Sequence, residues 1–210
     1  MRILLASTLF TAACTAGSPA GGPTYDSVRD RLADGPTRLY VGTDASTGTI
    51  TARRYTPSGW QEGSANVAID GGELFVEIDA AGKLAMNELT VSLAPIEIPD
   101  EVFGKPAQLD DVRFSLAKPA TADAQWAGDD DATATFTVDI DFDWAIAING
   151  GKTQLATQHV SPVTAAVALT GAGDHVDASL SLRASGKLWN WAGLLEMTEV
   201  ELALSAATPD

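Results

Sequence analysis

The amino-acid sequence predicts a mainly β protein, an antiparallel β-sandwich or an open, curved, barrel-like sheet, with one short N-terminal helix. Three observations carry the prediction. After residue 36 apolar and polar residues alternate over most of the chain, the period of strands with one buried face. Asp70-Gly71-Gly72, Asn149-Gly150-Gly151 and Gly171-Ala172-Gly173-Asp174 have the composition of hairpin turns. Only residues 24–34 repeat at a helical spacing, with Tyr25, Val28 and Leu32 on one face and Gly35-Pro36 as a stop.

The expected strands are 38–41, 49–55, 65–70, 73–79, 84–93, 108–117, 133–148, 152–159, 163–170, 176–184 and 198–205. Pro95 and Pro99 place their segment at an edge or at a crossing between sheets. In 132–149, the strongest element, Phe136, Val138, Ile140, Phe142, Trp144 and Ile146 share one face, and Thr135, Thr137, Asp139, Asp141 and Asp143 the other. At about 3.3 Å per residue it runs roughly 50 Å, so it bends between sheets or belongs to a large curved one. Residues 66–72 and 145–151 match at a strand end and turn, which two hairpins of one turn type explain without duplication.

The chain divides into a leader over 1–13, a tether over 14–23 and one β-rich domain over 24–210. Its formal charge is −15, and loss of Arg2 with the leader makes it −16. So acidic a surface repels phosphate backbones, which argues against nucleic acid and against electrostatic adhesion to anionic lipid.

Arg2, the apolar run Ile3 to Phe10 and the small residues Thr11-Ala12-Ala13 have the parts of a secretory signal. The run is too short to span a bilayer. Thr11-Ala12-Ala13-Cys14 resembles the lipobox of bacterial lipoproteins, although Thr11 stands where that pattern has an aliphatic residue. The resemblance implies cleavage before Cys14 and lipid attachment to it. Cys14 is the single cysteine, so an exported chain has no internal disulfide for it to join. The tether Thr15 to Thr24 would hold the domain on the order of 17 Å from the surface. The expected address is the bacterial cell envelope, at the outer membrane if the cell is Gram-negative, with a secreted or periplasmic protein as the alternative.

Residues that could carry chemistry are few. Asp139-Ile-Asp141-Phe-Asp143 opens like a calcium loop, but Trp144 and Gly150 stand where that loop needs Gly and Glu. The three carboxylates read better as a solvated ladder, and Asp129-Asp130-Asp131 as a charged loop. His159 and His175 are the only histidines, and neither has metal-ligand spacing. No hydrolase elbow or zinc motif is present, so no catalytic residue, metal or cofactor is assigned. Lys187-Leu-Trp189-Asn-Trp191 is the most distinctive cluster. If extended, it sets Lys187, Trp189 and Trp191 on one face, where indoles could stack on sugars or clasp an acyl chain.

The expected function is therefore that of a non-catalytic envelope lipoprotein, binding an apolar ligand such as a lipid or acting as an interaction module. The alternative is a surface carbohydrate-binding module that meets glycans through Trp189 and Trp191. A filled core would favour an interaction module, and a void a carrier.

Overall fold

The computed structural model describes residues 24–98, 106–148, 151–152, 156–172, 174–191 and 195–209, with backbone alone for 152, 186–191 and 195. Among them α1 (Val28–Asp34) precedes the strands β1 (Thr37–Val41), β2 (Thr47–Thr56), β3 (Gly59–Ile78), β4 (Leu84–Leu93), β5 (Ile96–Ile98), β6 (Ala107–Leu116), β7 (Ala120–Ala122), β8 (Gln125–Ala127), β9 (Asp131–Ile148), β10 (Gly151–Lys152), β11 (Ala156–Ala172), β12 (His175–Trp191) and β13 (Leu195–Ala207).

The strands form a single antiparallel sheet that closes on itself. Its ring of 8 strands runs β3-β2-β13-β12-β11-β9-β6-β4, and β4 pairs back onto β3 over Ile69–Ile78. The expected barrel-like sheet is thus a closed barrel, which leaves the ring without free edges. Short strands complete the wall where long ones stop. β1 takes the place of β2 between β13 and β3, pairing Val41 with Ala206 and Thr37 with Val76. β7 and β8 stand beside β4 and β9 beyond the end of β6.

Alternation decides which face is inside. Along β9, Ala134, Phe136, Val138, Ile140, Phe142, Trp144 and Ile146 are buried, while Thr133, Thr135 and Thr137 are exposed and Asp139, Asp141 and Asp143 half-buried. Leu180 and Leu182 of β12 and Val200, Leu202 and Leu204 of β13 join the same core. Eight strands enclose an interior just wide enough for side chains to fill. A wall facing lipid carries an apolar outer band, whereas this one carries carboxylates and hydroxyls. No helix among the described residues is long and apolar enough to cross a membrane.

α1 closes one end. Val28 and Leu32 are fully buried, and the helix packs on β3 and β11. Ser27 caps it, its Oγ accepting from the Asp30 N–H at 3.1 Å. The helix is shorter than the expected 24–34 because residue 27 is extended and Tyr25 donates its N–H to Asp174 at the β11–β12 tip instead.

Two expected interruptions are absent. Asp70-Gly71-Gly72 does not turn: β3 runs through it with a register shift against β4, and Gly71 takes φ 138°. The glycines serve a bulge, which bends a strand without reversing it. The likeness of 66–72 to 145–151 is therefore not one of shared hairpins. The strands expected at 152–159 and 163–170 are also regrouped, because β11 runs from 156 to 172 and absorbs the cis Ser161–Pro162 bond in a bulge. His159 lies inside that strand and not at its end.

Candidate functional site

The barrel interior offers little space. Its apolar cavity, of about 20 Å³, is lined by Phe114, Ile140, Phe142, Val163, Met197 and Leu202, among others. That is room for about one water-sized molecule, far below the roughly 300 Å³ at which ligand pockets begin. That cavity admits no sizeable molecule.

On the outer wall the aspartate ladder is occupied by its neighbours. Register sets β9 against β11, so that Asp143 faces Thr157 and Asp141 faces His159. Thr157 Oγ1 donates to Asp143, His159 Nδ1 lies 2.9 Å from Asp141, and Ser161 Oγ donates to Asp139. Lys118 Nζ adds an ion pair to Asp139 at 2.7 Å. The Lys118 and Ser161 hydrogen bonds hold the Asp139 carboxyl below its ordinary pKa. A carboxyl lowered in this way stabilises the fold above the ordinary carboxylate range, and the contribution is lost as pH falls through the depressed value. Among the described residues no group of three or more potential ligands gathers to hold a metal. The Ser161 hydroxyl is turned to Asp139 and not to His159.

His175 sits at the start of β12, with Nε2 3.3 Å from Asp177 and Nδ1 3.4 Å from Thr208 Oγ1. The acidic run at 129–131 has a structural task. Asp130 Oδ1 accepts the Val28 N–H at 3.2 Å, and the Asp129 carbonyl accepts the Arg29 N–H at 2.9 Å. These groups satisfy amides that the first turn of α1 leaves open.

Among the described residues, the large apolar side chains that stay outside are Tyr40, Tyr55 and Trp60, exposed by 41%, 56% and 46%. Tyr55 and Trp60 face each other across the β2–β3 hairpin, edge to face at 5.4 Å. The Arg53 guanidinium lies 4.4 Å from the Trp60 ring centre. It also donates from Nε and Nη2 to Glu196 Oε2 at 3.0 and 2.8 Å, and Glu196 is only 3% exposed. An Arg stacked on an indole and tied to a buried carboxylate is held in one orientation.

This rim lies at the end opposite α1. The side chains of Lys187, Trp189 and Trp191 fall outside the described residues. Their backbone belongs to β12, with Trp189 opposite Met197, Asn190 opposite Glu196 and Trp191 opposite Leu195, and β13 in turn pairs Glu196 with Arg53. Cys14 and the leader also fall outside the described residues.

Sequence reasoning missed Arg53, Tyr55, Trp60 and Glu196. A signal existed in Tyr55-Thr-Pro-Ser-Gly-Trp60, where two aromatics flank a turn and become a cross-strand pair. No local signal links Arg53 to Glu196, which are 143 residues apart.

No family model and no curated protein matches the chain. Two solved structures of Ail, the attachment invasion locus protein of Yersinia pestis, align with 81% of it and 95% of their own length. One, in complex with the heparin analogue sucrose octasulfate, has a TM-score of 0.37 at 8% identity, and the other 0.35 at 7%. Likeness at this level adds nothing to the strand pairing described above.

Proposed function

We propose that the chain is a non-catalytic protein of the bacterial cell envelope, anchored by lipid on Cys14, and that it works as an interaction module through its outer surface. The observation that carries this reading is the packed core: the apolar cavity that the described residues line inside the barrel has about 20 Å³, too little for a lipid cargo. The polar wall supports attachment by an acyl chain over insertion of the barrel. The exposed Tyr55–Trp60 pair with its fixed Arg53 supports contact at the rim, since Trp, Tyr and Arg dominate binding energy at interfaces.

Two measurements test the reading together. Cys14→Ser moves the protein from the membrane to the soluble fraction, and native mass spectrometry of gently extracted protein shows lipid mass on Cys14 alone. Unchanged fractionation would overturn the anchor. A stoichiometric lipid that persists in Cys14→Ser would restore the carrier.

A second reading is a glycan-binding module acting through Trp189 and Trp191 with Lys187 beside them, and what supports it is their place along the barrel. Asn190, Glu196 and Arg53 stand on one rung of the sheet, which sets residues 189–191 at the same end as Tyr55 and Trp60.

A further inference from the structure

Away from the rim, the outer wall carries a groove of about 570 Å³ over β1, β3, β4 and β6. Its shape follows from side-chain size along three rungs. Tyr40 pairs with Glu73, and Glu73 with Thr90; on the next rung Gly71 pairs with Ser92, and Ser92 with Arg113; on the rung to the other side Arg38 pairs with Phe75, and Phe75 with Glu88. Glycines and hydroxyl residues therefore make the floor, while Tyr40, Glu88 and Arg113 stand up as walls. A Cβ at Gly72 would lie 2.2 Å from the Thr90 carbonyl oxygen, so β3 and β4 meet here only because the side chain is missing.

Tyr40 is held at the groove by Arg38, whose guanidinium lies 4.7 Å from its ring centre and also pairs with Glu73. Arg113 reaches Thr90 Oγ1 at 3.5 Å. The groove thus combines an aromatic surface, a carboxylate, an arginine fork and two hydroxyls in a volume of ordinary ligand-site size.

The charges decide which ligand fits. Glu73 and Glu88 stand against Arg38 and Arg113, two acids with two bases, so the groove is close to neutral. The −15 chain around it opposes the approach of polyanions.

We propose that this groove binds a neutral saccharide, with the C–H face of a sugar ring against Tyr40 and its hydroxyls shared between Glu88, Arg113, Thr90 and Ser92. A sugar supplies what the walls require: a flat apolar face and a periphery of groups that both donate and accept. The site is separate from the rim and from any lipid on Cys14.

Calorimetric titration of the detergent-extracted full chain with maltohexaose, cellohexaose and chitohexaose tests the assignment and separates the sources of such a ring. The expected result is saturable binding of at least one of them. Tyr40→Ala weakens it by about tenfold or more. Glu88→Gln, a near-isosteric change at an exposed position, weakens it as well, while Trp60→Ala leaves it unchanged. Absence of binding by every sugar at millimolar concentration overturns the proposal. So does a Tyr40→Ala protein that binds within about twofold of the parent, or preferential binding of sulfated dextran.

Discussion

Arg53 is bound on two sides, by the Trp60 ring and by the Glu196 carboxylate, and the difference in their exposure sets what its removal does. Its own side chain is 31% exposed and that of Glu196 3%. Truncating the arginine takes a cationic partner from a carboxylate held out of water, which costs several kcal/mol when both partners are buried. Solvent reaching Arg53 screens part of this, and the lost stack on Trp60 restores a fraction. Arg53→Ala is therefore expected to destabilise the protein by about 2 kcal/mol, read as a lower urea midpoint at unchanged slope. Arg53→Ala with Glu196→Gln should cost less than the sum of the single changes, because the buried charge that Arg53 compensates is then gone too. Equal additive losses would mean that the pair contributes nothing as a pair. None of this was legible from the sequence, where Arg53 is one of several surface-type cations. The Asp129–Asp131 run shows the same limit: its composition says loop, and only the fold reveals that it caps the helix that closes the barrel.

Element by element, the sequence exposed what alternates and hid what closes. β4 spans the expected residues, and β9 differs by two at its start, because long one-sided runs declare their own boundaries. Barrel closure was beyond reach, since it depends on β3 pairing with β4 and on β13 pairing with β2, across about 150 residues in the latter case. The Gly71-Gly72 signal misled for a physical reason: glycine is needed wherever a backbone comes close, in a bulge as in a turn. Gly48 and Gly72 separate two kinds of close approach. A Cβ at Gly48 meets the ends of Leu202 and Val67 at 2.5 and 2.6 Å, side-chain atoms that can move aside. At Gly72 it meets a carbonyl oxygen at 2.2 Å and the Val91 Cα at 3.1 Å, so strand pairing itself must give. Gly48→Ala is accordingly expected to cost about 1–3 kcal/mol. Gly72→Ala should cost more and should raise hydrogen exchange at the β3–β4 amides. If Gly48→Ala proved the more damaging of the two, this ordering by backbone against side chain would be wrong.

For the whole molecule, the way the chain enters the barrel orients it. Tyr25 is bonded to Asp174 at the β11–β12 tip, and α1 seals that same end. A lipid on Cys14 would be joined to the domain by a tether with a reach on the order of 17 Å, so the α1 end would face the bilayer. The β2–β3 tip with Tyr55 and Trp60 lies at the other end of the barrel, about 30 Å away along the tilted strands. The negative wall between the ends is repelled by an anionic leaflet, which favours an upright barrel over one lying on its side. Two single-cysteine reporters, in protein anchored through a lipid at residue 14, distinguish these arrangements. Ala80→Cys lies in the exposed turn after β3 at the α1 end, and Ser58→Cys in the exposed turn between β2 and β3. With a fluorophore on each, a quencher in the lipid headgroups should dim the label at 80 strongly and the label at 58 little. High salt should narrow the difference by screening the repulsion that keeps the barrel upright. Equal quenching at low salt would mean that the barrel lies flat, and stronger quenching at 58 would place the aromatic rim on the membrane and remove it as a contact surface for partners.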